Sequence, residues 1–349
     1  MNAANNAGGQ VSWGHLISKL MKGDSLTEQE SSDAMIEIME GAATPAQIAG
    51  FVVALRAKGE SVDEVAGLVR TMRSYGRNVE VDGEVLDTCG TGGDRTGTFN
   101  VSTAAAIVCA GAGARVAKHG NRAASSRCGS ADVLEALGVA IDLPPEGVAA
   151  CIDKAGIGFC FAPVFHPAMR HAATPRRELG VATVFNFLGP LTNPAGATRQ
   201  ALGVADPRMI EKMVSTLGRL GSSRVLAFHG HQGLDELATS GVSDVVELRD
   251  GELHRWTIDP ADLGLDHADL DAVSGGTAPE NAAHIRKVLS GEGGPRRDIV
   301  LLNAAAGLIA AGAADDMAQG LERAAQAVDS GDAVGSLELL IETSRSLRP

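Results

Sequence analysis

The sequence predicts an α/β protein in two parts: a small all-helical domain over residues 1–80 and a larger α/β domain over 81–349 with a mostly parallel central sheet. Three observations predict it. The first seventy-odd residues carry helix caps and helical stripes only. From Glu84 onward, short β-like runs alternate with helix-length segments. A chain of 349 residues also exceeds what one compact core usually organises.

Taken in order, Thr27 with Glu30 forms a capping box ahead of an apolar-striped segment, and Thr44, Pro45 and Gln47 open the next helix. Ser61 with Glu64 opens another. Gly41 and Gly59 stand where C′ glycines belong. Ile48, Phe51, Val52 and Leu55 share one helical stripe, as do Val65, Leu68, Val69 and Met72, so these helices bury faces against one another or against a second subunit. Strands are expected at Val85-Leu86, Arg115 to Ala117, Ile157 to Phe161, Ala201 to Val204 and Arg224 to Phe228. Helices are expected at Thr103 to Ala110, Ala131 to Leu137, Pro145 to Ala155 and Pro207 to Leu220. Beyond Asp298 the pattern is helical again, with Ile299 to Ala311 apolar enough to be buried. The domain boundary falls around Asn78 to Glu84, and a helical segment near 166–180 is expected to rejoin the first domain.

Composition narrows the function classes. A formal net charge of −13 argues against duplex nucleic acid as a partner, because counterion release needs a broad basic surface. Aromatic residues at 3% leave little for base stacking. No window approaches the roughly eighteen apolar residues of a membrane span, and the opening MNAANNAGGQ has neither a basic nor an apolar signal region, so the chain reads as cytosolic with a disordered tail at Met1 to Gln10. Five scattered cysteines without a C-x-x-C suggest reduced, buried thiols.

Four motifs carry the chemistry. Asp87 to Thr103 reads DTCGTGGDRTGTFNVST: strand, glycine loop, then the start of a helix, an arrangement that offers unblocked N–H groups to a phosphate or pyrophosphate. It has no P-loop lysine and no G-x-G-x-x-G at the helix start. Lys118 to Arg127 then gathers lysine, two arginines, asparagine and serines at a strand end, which suits phosphate oxygens. The adjacent Arg176 and Arg177, ahead of turns at Gly189-Pro190 and Asn193-Pro194, offer a fork for a carboxylate. Asp235 and Glu236, past the strand ending at Phe228, suit Mg²⁺; His229 and His231 lack a third ligand for a transition metal.

With GTGGD and NVST, KHGNR, RRELG with FNFLGPLTNP, and GLDE in this order, the sequence resembles the anthranilate phosphoribosyltransferase family over nearly its whole length. The resemblance implies a nucleoside-phosphorylase-like architecture, a homodimer formed through the helical domain, and a site in the cleft between the domains. It also implies transfer of phosphoribosyl from phosphoribosyl pyrophosphate (PRPP) to the amine of anthranilate with Mg²⁺. Carried over position by position, Gly90, Gly93, Asp94 and Thr98 would line the PRPP loop, and Asn100, Val101, Ser102 and Thr103 would grip phosphate and ribose. Lys118, His119, Gly120, Asn121, Arg122, Ala123, Ala124, Ser125 and Ser126, with Ser130, would complete the phosphate cradle. Ser102, Asp235 and Glu236 would hold Mg²⁺, and Gly90, Asn121 and Arg176 would face anthranilate. Lys118 is the expected stabiliser of leaving-group charge; no general base is assigned, and His119 is one only by position. The alternatives are a pyrimidine-nucleoside phosphorylase, whose K-H-S-x-G-G-x-G-D loop is missing here, a related transferase using another amine, and a non-catalytic PRPP sensor.

Overall fold

Capping decides where the first helices begin. Thr27, Thr44 and Ser61 each accept the N3 amide on a side-chain oxygen while the N3 Glu or Gln reaches back, which starts α2 (Glu28–Met39), α3 (Pro45–Lys58) and α4 (Val62–Ser74) behind α1 (Trp13–Met21). Glu64 does more than cap. Its buried carboxylate accepts the amides of Ser61 at 2.7 Å and Leu26 at 2.8 Å and pairs with Lys58 at 2.9 Å, tying the loops between helices together. The structure is a computed structural model that describes residues 11–123 and 127–348; the tail Met1 to Gln10 lies outside the described residues.

The chain continues as β1 (Leu86–Gly90), α5 (Val101–Gly111), β2 (Val116–Gly120), α6 (Ser130–Leu137), α7 (Pro145–Ala155) and β3 (Ile157–Phe161). Two single turns, α8 (Ala162–Phe165) and α10 (Phe185–Leu188), flank α9 (Arg170–Leu179). Then follow β4 (Arg199–Gly203), α11 (Ile210–Arg219), β5 (Arg224–Gly230), β6 (Ser243–Arg249) and β7 (Glu252–Ile258). Four helices close the chain: α12 (Ala278–Leu289), α13 (Pro295–Ala310), α14 (Met317–Asp329) and α15 (Asp332–Ser346).

These elements form two units. Residues 1–75 and 168–185 make an all-helical unit in which α9 packs against α2 and α3. Residues 76–167 and 186–349 make an α/β unit around one seven-stranded sheet of order β3-β2-β1-β4-β5-β6-β7. The pairings from β3 through β5 are parallel, and those of β5 with β6 and of β6 with β7 are antiparallel. The last two strands are absent from the expectation above. They form a hairpin closed by Asp250 and Gly251, whose φ angles of 54° and 80° match a two-residue type I′ turn.

The core of the α/β unit runs through α5, a helix of small residues buried along nearly its whole length, which packs on β1, β2, α13 and α15. All five cysteines are buried free thiols.

Candidate active site

Strand order locates the site. In an open parallel sheet, ligands bind beyond the carboxyl ends where chain order reverses, here between β1 and β4. β1, β2, β4 and β5 all end in glycine, and the first and third of these, Gly90 and Gly203, are register partners. The reason is steric. A Cβ at Gly203 would stand 1.6 Å from the carbonyl oxygen of Asp235, and one at Gly90 would stand 2.3 Å from Asp235 Oδ2. Both strands stop short of side chains so that the acidic loop after β5 can lie over them.

The glycine loop that leaves β1 is wound through the left-handed region at Gly92, Gly93, Arg95 and Gly97, with φ between 59° and 82°. Such successive conformations turn amides toward a common concavity that suits anions. Asp94 is held inside the loop, its Oδ2 accepting Thr96 Oγ1 at 2.5 Å. Thr98 pairs antiparallel with Ser274.

The acidic motif meets this loop directly. Asp235 Oδ2 accepts the Gly92 amide at 2.7 Å, and Glu236 Oε1 accepts the Ser102 amide at 3.2 Å. Both carboxylates are buried. Burial first, then the charge of Asp94, pushes Asp235 upward; burial and the charge of Asp235 likewise push Glu236 up, against the pull of Lys118. The donor set is therefore hard oxygen atoms short of positive charge, and this fits a divalent cation. Among the described residues no three histidine, cysteine or carboxylate side chains converge on one point, so two carboxylates would hold a hard ion that keeps other positions for water or substrate oxygens. His229 and His231 are engaged elsewhere, the first with the Val204 carbonyl at 2.8 Å and the second with Asp244 at 3.0 Å.

Lys118, on β2, is only 2% exposed. Its Nζ donates to the Thr88 carbonyl at 2.5 Å and to Ser102 Oγ at 3.4 Å. Burial lowers its pKa, while Asp87, Cys89 and Glu236 oppose that shift. Asp87 is wholly buried, and its Oδ1 accepts the His119 amide at 3.0 Å. The His119 ring donates from Nδ1 to the Gly189 carbonyl at 3.0 Å, and His166 donates from Nε2 to the Thr192 carbonyl at 2.9 Å. Carbonyl acceptors fix both tautomers. The two rings lie 5.3 Å apart, and burial holds the pKa of His119 down to about 3 and that of His166 to about 4.

After Gly120 the chain turns through Asn121, Arg122 and Ala123. Asn121 Oδ1 accepts the Arg122 amide at 2.8 Å, and its carbonyl accepts Ser130 Oγ at 3.3 Å. Arg122 pairs with Asp132 at 2.9 Å and Glu135 at 2.6 Å and lies over the Phe161 ring. Asp132 also accepts the amides of Ala123 at 3.0 Å and Gly129 at 2.9 Å, so one carboxylate closes this loop. Ala124, Ser125 and Ser126 lie outside the described residues.

At the start of α5 the four residues of the NVST motif separate by face. The side chains of Val101 and Thr103 are in the core, which leaves only their backbone groups for a ligand, whereas Asn100 and Ser102 are partly exposed. Arg176 belongs to the helical unit, on α9. It is half-buried over the Phe185 ring, 5.4 Å from the centroid, and among the described residues no acidic side chain pairs with it. Burial lowers its pKa.

Within the α/β unit the motif residues come together, and three residues outside the motif assignments hold them: Asp87, Asp132 and Gly203. Asp132 carried a local signal as the N3 residue behind Gly129. The other two act through strand register or across long stretches of chain.

Residues 14–76 match the helical bundle domain of a glycosyl transferase family, and residues 82–334 match that family's a/b domain. The chain is 55% identical over 326 residues, 93% of its length and 96% of the relative's, to an anthranilate phosphoribosyltransferase of Moorella thermoacetica. A crystal structure of the enzyme of that name from Thermus thermophilus is 46% identical, covers 95% of this chain and 99% of its own, and superposes with a TM-score of 0.89. The one from Saccharomyces cerevisiae in complex with PRPP and Mg is 27% identical, covers 97% and 99%, and has a TM-score of 0.88.

Proposed function

The chain belongs to the anthranilate phosphoribosyltransferase family, and from that premise we propose how its residues divide the work of the reaction. The enzyme transfers the 5-phosphoribosyl group of PRPP to the amine of anthranilate, giving N-(5-phosphoribosyl)anthranilate and pyrophosphate in tryptophan biosynthesis. One observation carries the residue-level reading: Asp235 and Glu236 reach the amides of Gly92 and Ser102, so the acidic motif and the glycine loop form a single site.

In the reaction the anthranilate nitrogen forms a bond to C1 of the ribose as the bond from C1 to the pyrophosphate oxygen breaks. Its electron pair leaves with that oxygen, and the nitrogen releases one proton. An aryl amine carries a free lone pair at neutral pH, so no strong base is needed. Asp235, Glu236 and Ser102 would hold Mg²⁺, which when bound neutralises charge on the departing pyrophosphate. The amides of the loop at Gly90, Gly93 and Asp94, with Thr98 beyond it, bind phosphate oxygens. Asn100, Ser102, Asn121, Arg122 and Ser130 add side-chain donors, and Val101, Thr103, Gly120 and Ala123 contribute backbone.

Lys118 acts from beneath the loop. Its buried charge, on an Nζ that donates to Ser102 Oγ at 3.4 Å, favours the anionic leaving group. Arg176, half-buried and with no acidic partner among the described residues, is the residue we assign to the anthranilate carboxylate.

We further propose homodimerisation through the helical unit, where Met21, Val53 and Val181 are exposed large hydrophobic residues at 77%, 43% and 62% exposure. No described helix is long and apolar enough to cross a membrane, and we place the enzyme in the cytoplasm.

The test supplies PRPP, Mg²⁺ and anthranilate and follows the loss of anthranilate fluorescence. Turnover that needs all three is the expected result. PRPP binding without turnover would replace the transferase with a sensor.

A further inference from the structure

Asn281 lies on α12, far from every motif, and is 2% exposed. Its Oδ1 accepts the Gly276 amide at 2.7 Å, and its Nδ2 donates to Asn100 Oδ1 at 2.9 Å. Asn100 Nδ2 donates in turn to the Cys128 carbonyl at 3.1 Å. The chain of bonds has a fixed direction. It begins at a backbone N–H, which can only donate, and ends at a backbone C=O, which can only accept, so both side-chain amides between them have one allowed orientation.

The same segment grips the glycine loop by its backbone. Phe99 donates to the Val273 carbonyl at 3.1 Å, and Gly275 donates to the Gly97 carbonyl at 2.8 Å. A Cβ at Gly275 would stand 2.8 Å from Phe99 Cα, so the two strands of chain meet at backbone distance. Asn100 is the N-cap position of α5, yet its side chain makes no capping bond because Asn281 and Cys128 occupy it. Its carbonyl still receives the amides of Thr103 at 3.2 Å and Ala104 at 3.1 Å. Holding the Asn100 side chain therefore holds the first turn of α5. The amide nitrogen carries two hydrogens and spends one on Cys128, leaving the other for a ligand oxygen.

We propose that Asn281 is a positioning residue for phosphoribosyl transfer, acting through Asn100 by setting the orientation of its amide and of the helix start it caps. The proposal rests on the reading of Asn100 as a PRPP contact. It predicts a defect in PRPP binding rather than in chemistry, because preorganisation lost before binding is restored at a cost taken from affinity.

The experiment is a double-mutant cycle of Asn100→Ala and Asn281→Ala, read as KM for PRPP and kcat, with Tm as the control for folding. Expected is a rise in KM of about tenfold for Asn281→Ala, with kcat within about twofold, and no further rise when Asn281→Ala is added to Asn100→Ala. Equal effects of Asn281→Ala in both backgrounds would show a merely structural role and overturn the proposal, as would an unchanged KM in the single variant. If Asn100→Ala leaves KM for PRPP unchanged, the assignment of Asn100 falls and takes the proposal with it, whereas a KM effect at Asn100 with none at Asn281 sinks the proposal alone. Should Asn281→Ala fail to fold, Asn281→Asp substitutes. It keeps the acceptor for Gly276 and loses the donor to Asn100, reversing the one allowed direction, and only the part of its effect that disappears in the Asn100→Ala background counts.

Discussion

Gly90 and Gly203 face each other as register partners on β1 and β4, and the backbone of Asp235 passes over the second while its carboxylate rests against the first. Two strands and a loop thus share a space in which Asp235 is the nearest residue to both glycines. Gly203→Ala would drive a methyl into the Asp235 carbonyl, which cannot step aside without moving Glu236. We expect a loss of Mg²⁺-dependent turnover of about a hundredfold or more, with far-UV circular dichroism unchanged. Gly90→Ala clashes with the Asp235 carboxylate rather than with its backbone, so it should weaken Mg²⁺ activation less. A titration of activity against Mg²⁺ ranks the two.

Lys118→Met keeps the length of the buried side chain and removes its charge. Turnover should fall by about 10², the usual effect of losing one preorganised donor to a developing anion. Arginine should not rescue it, because a site 2% exposed has no room for the larger group. Initial rates decide the matter; a loss under about threefold would remove Lys118 from charge stabilisation.

His119 and His166 give a pH dependence of stability whose sign can be worked out. In the unfolded chain each takes up a proton near 6.5, but folded they do so only near 3 and 4. Between those values the unfolded chain binds more protons, so this contribution to stability is lost as pH falls below 6.5. His166→Gln can still donate to the Thr192 carbonyl and does not titrate. Its Tm relative to wild type should rise as the pH is lowered from about 7.5 to about 4.5, by the equivalent of about 2 kcal/mol. A parallel pair of Tm curves would contradict this.

Asp132 closes the loop after β2 with two backbone bonds and a pair to Arg122. Burial works against its ionised form, but the amides of Ala123 and Gly129 and the charge of Arg122 outweigh it and hold its pKa below the usual value. Asp132→Ala frees the loop, and KM for PRPP should rise by roughly tenfold while kcat changes less. Steady-state kinetics at saturating anthranilate measures both.

Much of the architecture is legible because its signals are local. Thr27, Thr44 and Ser61 announce helices through residues three positions away, and the run at 157–161 becomes β3 at those same bounds. The β6–β7 hairpin is a different case: Asp250-Gly251 between alternating strands is itself a local signal, but it is faint beside the α/β alternation that dominates the second half. The acidic motif could be read as a metal site from its residue types, but not the space it occupies, since that depends on which strands become neighbours. Gly203 looks like any glycine until β4 pairs with β1. Asn281 looks like any helical asparagine until its helix is brought to Asn100. Residues that make chemistry advertise it by type; those that hold them in place do so through long-range geometry.

The strand order has a consequence for synthesis. β1 emerges from the ribosome first but belongs in the interior of the sheet, and its neighbour on one side, β4, is made only after β2 and β3. Until Gly203 has been translated, the growing polypeptide carries a bare hydrogen-bonding edge along β1, which is a template for mispairing with other chains. A stall in that window is where newly made protein is most exposed to aggregation, and where chaperone capture would matter most.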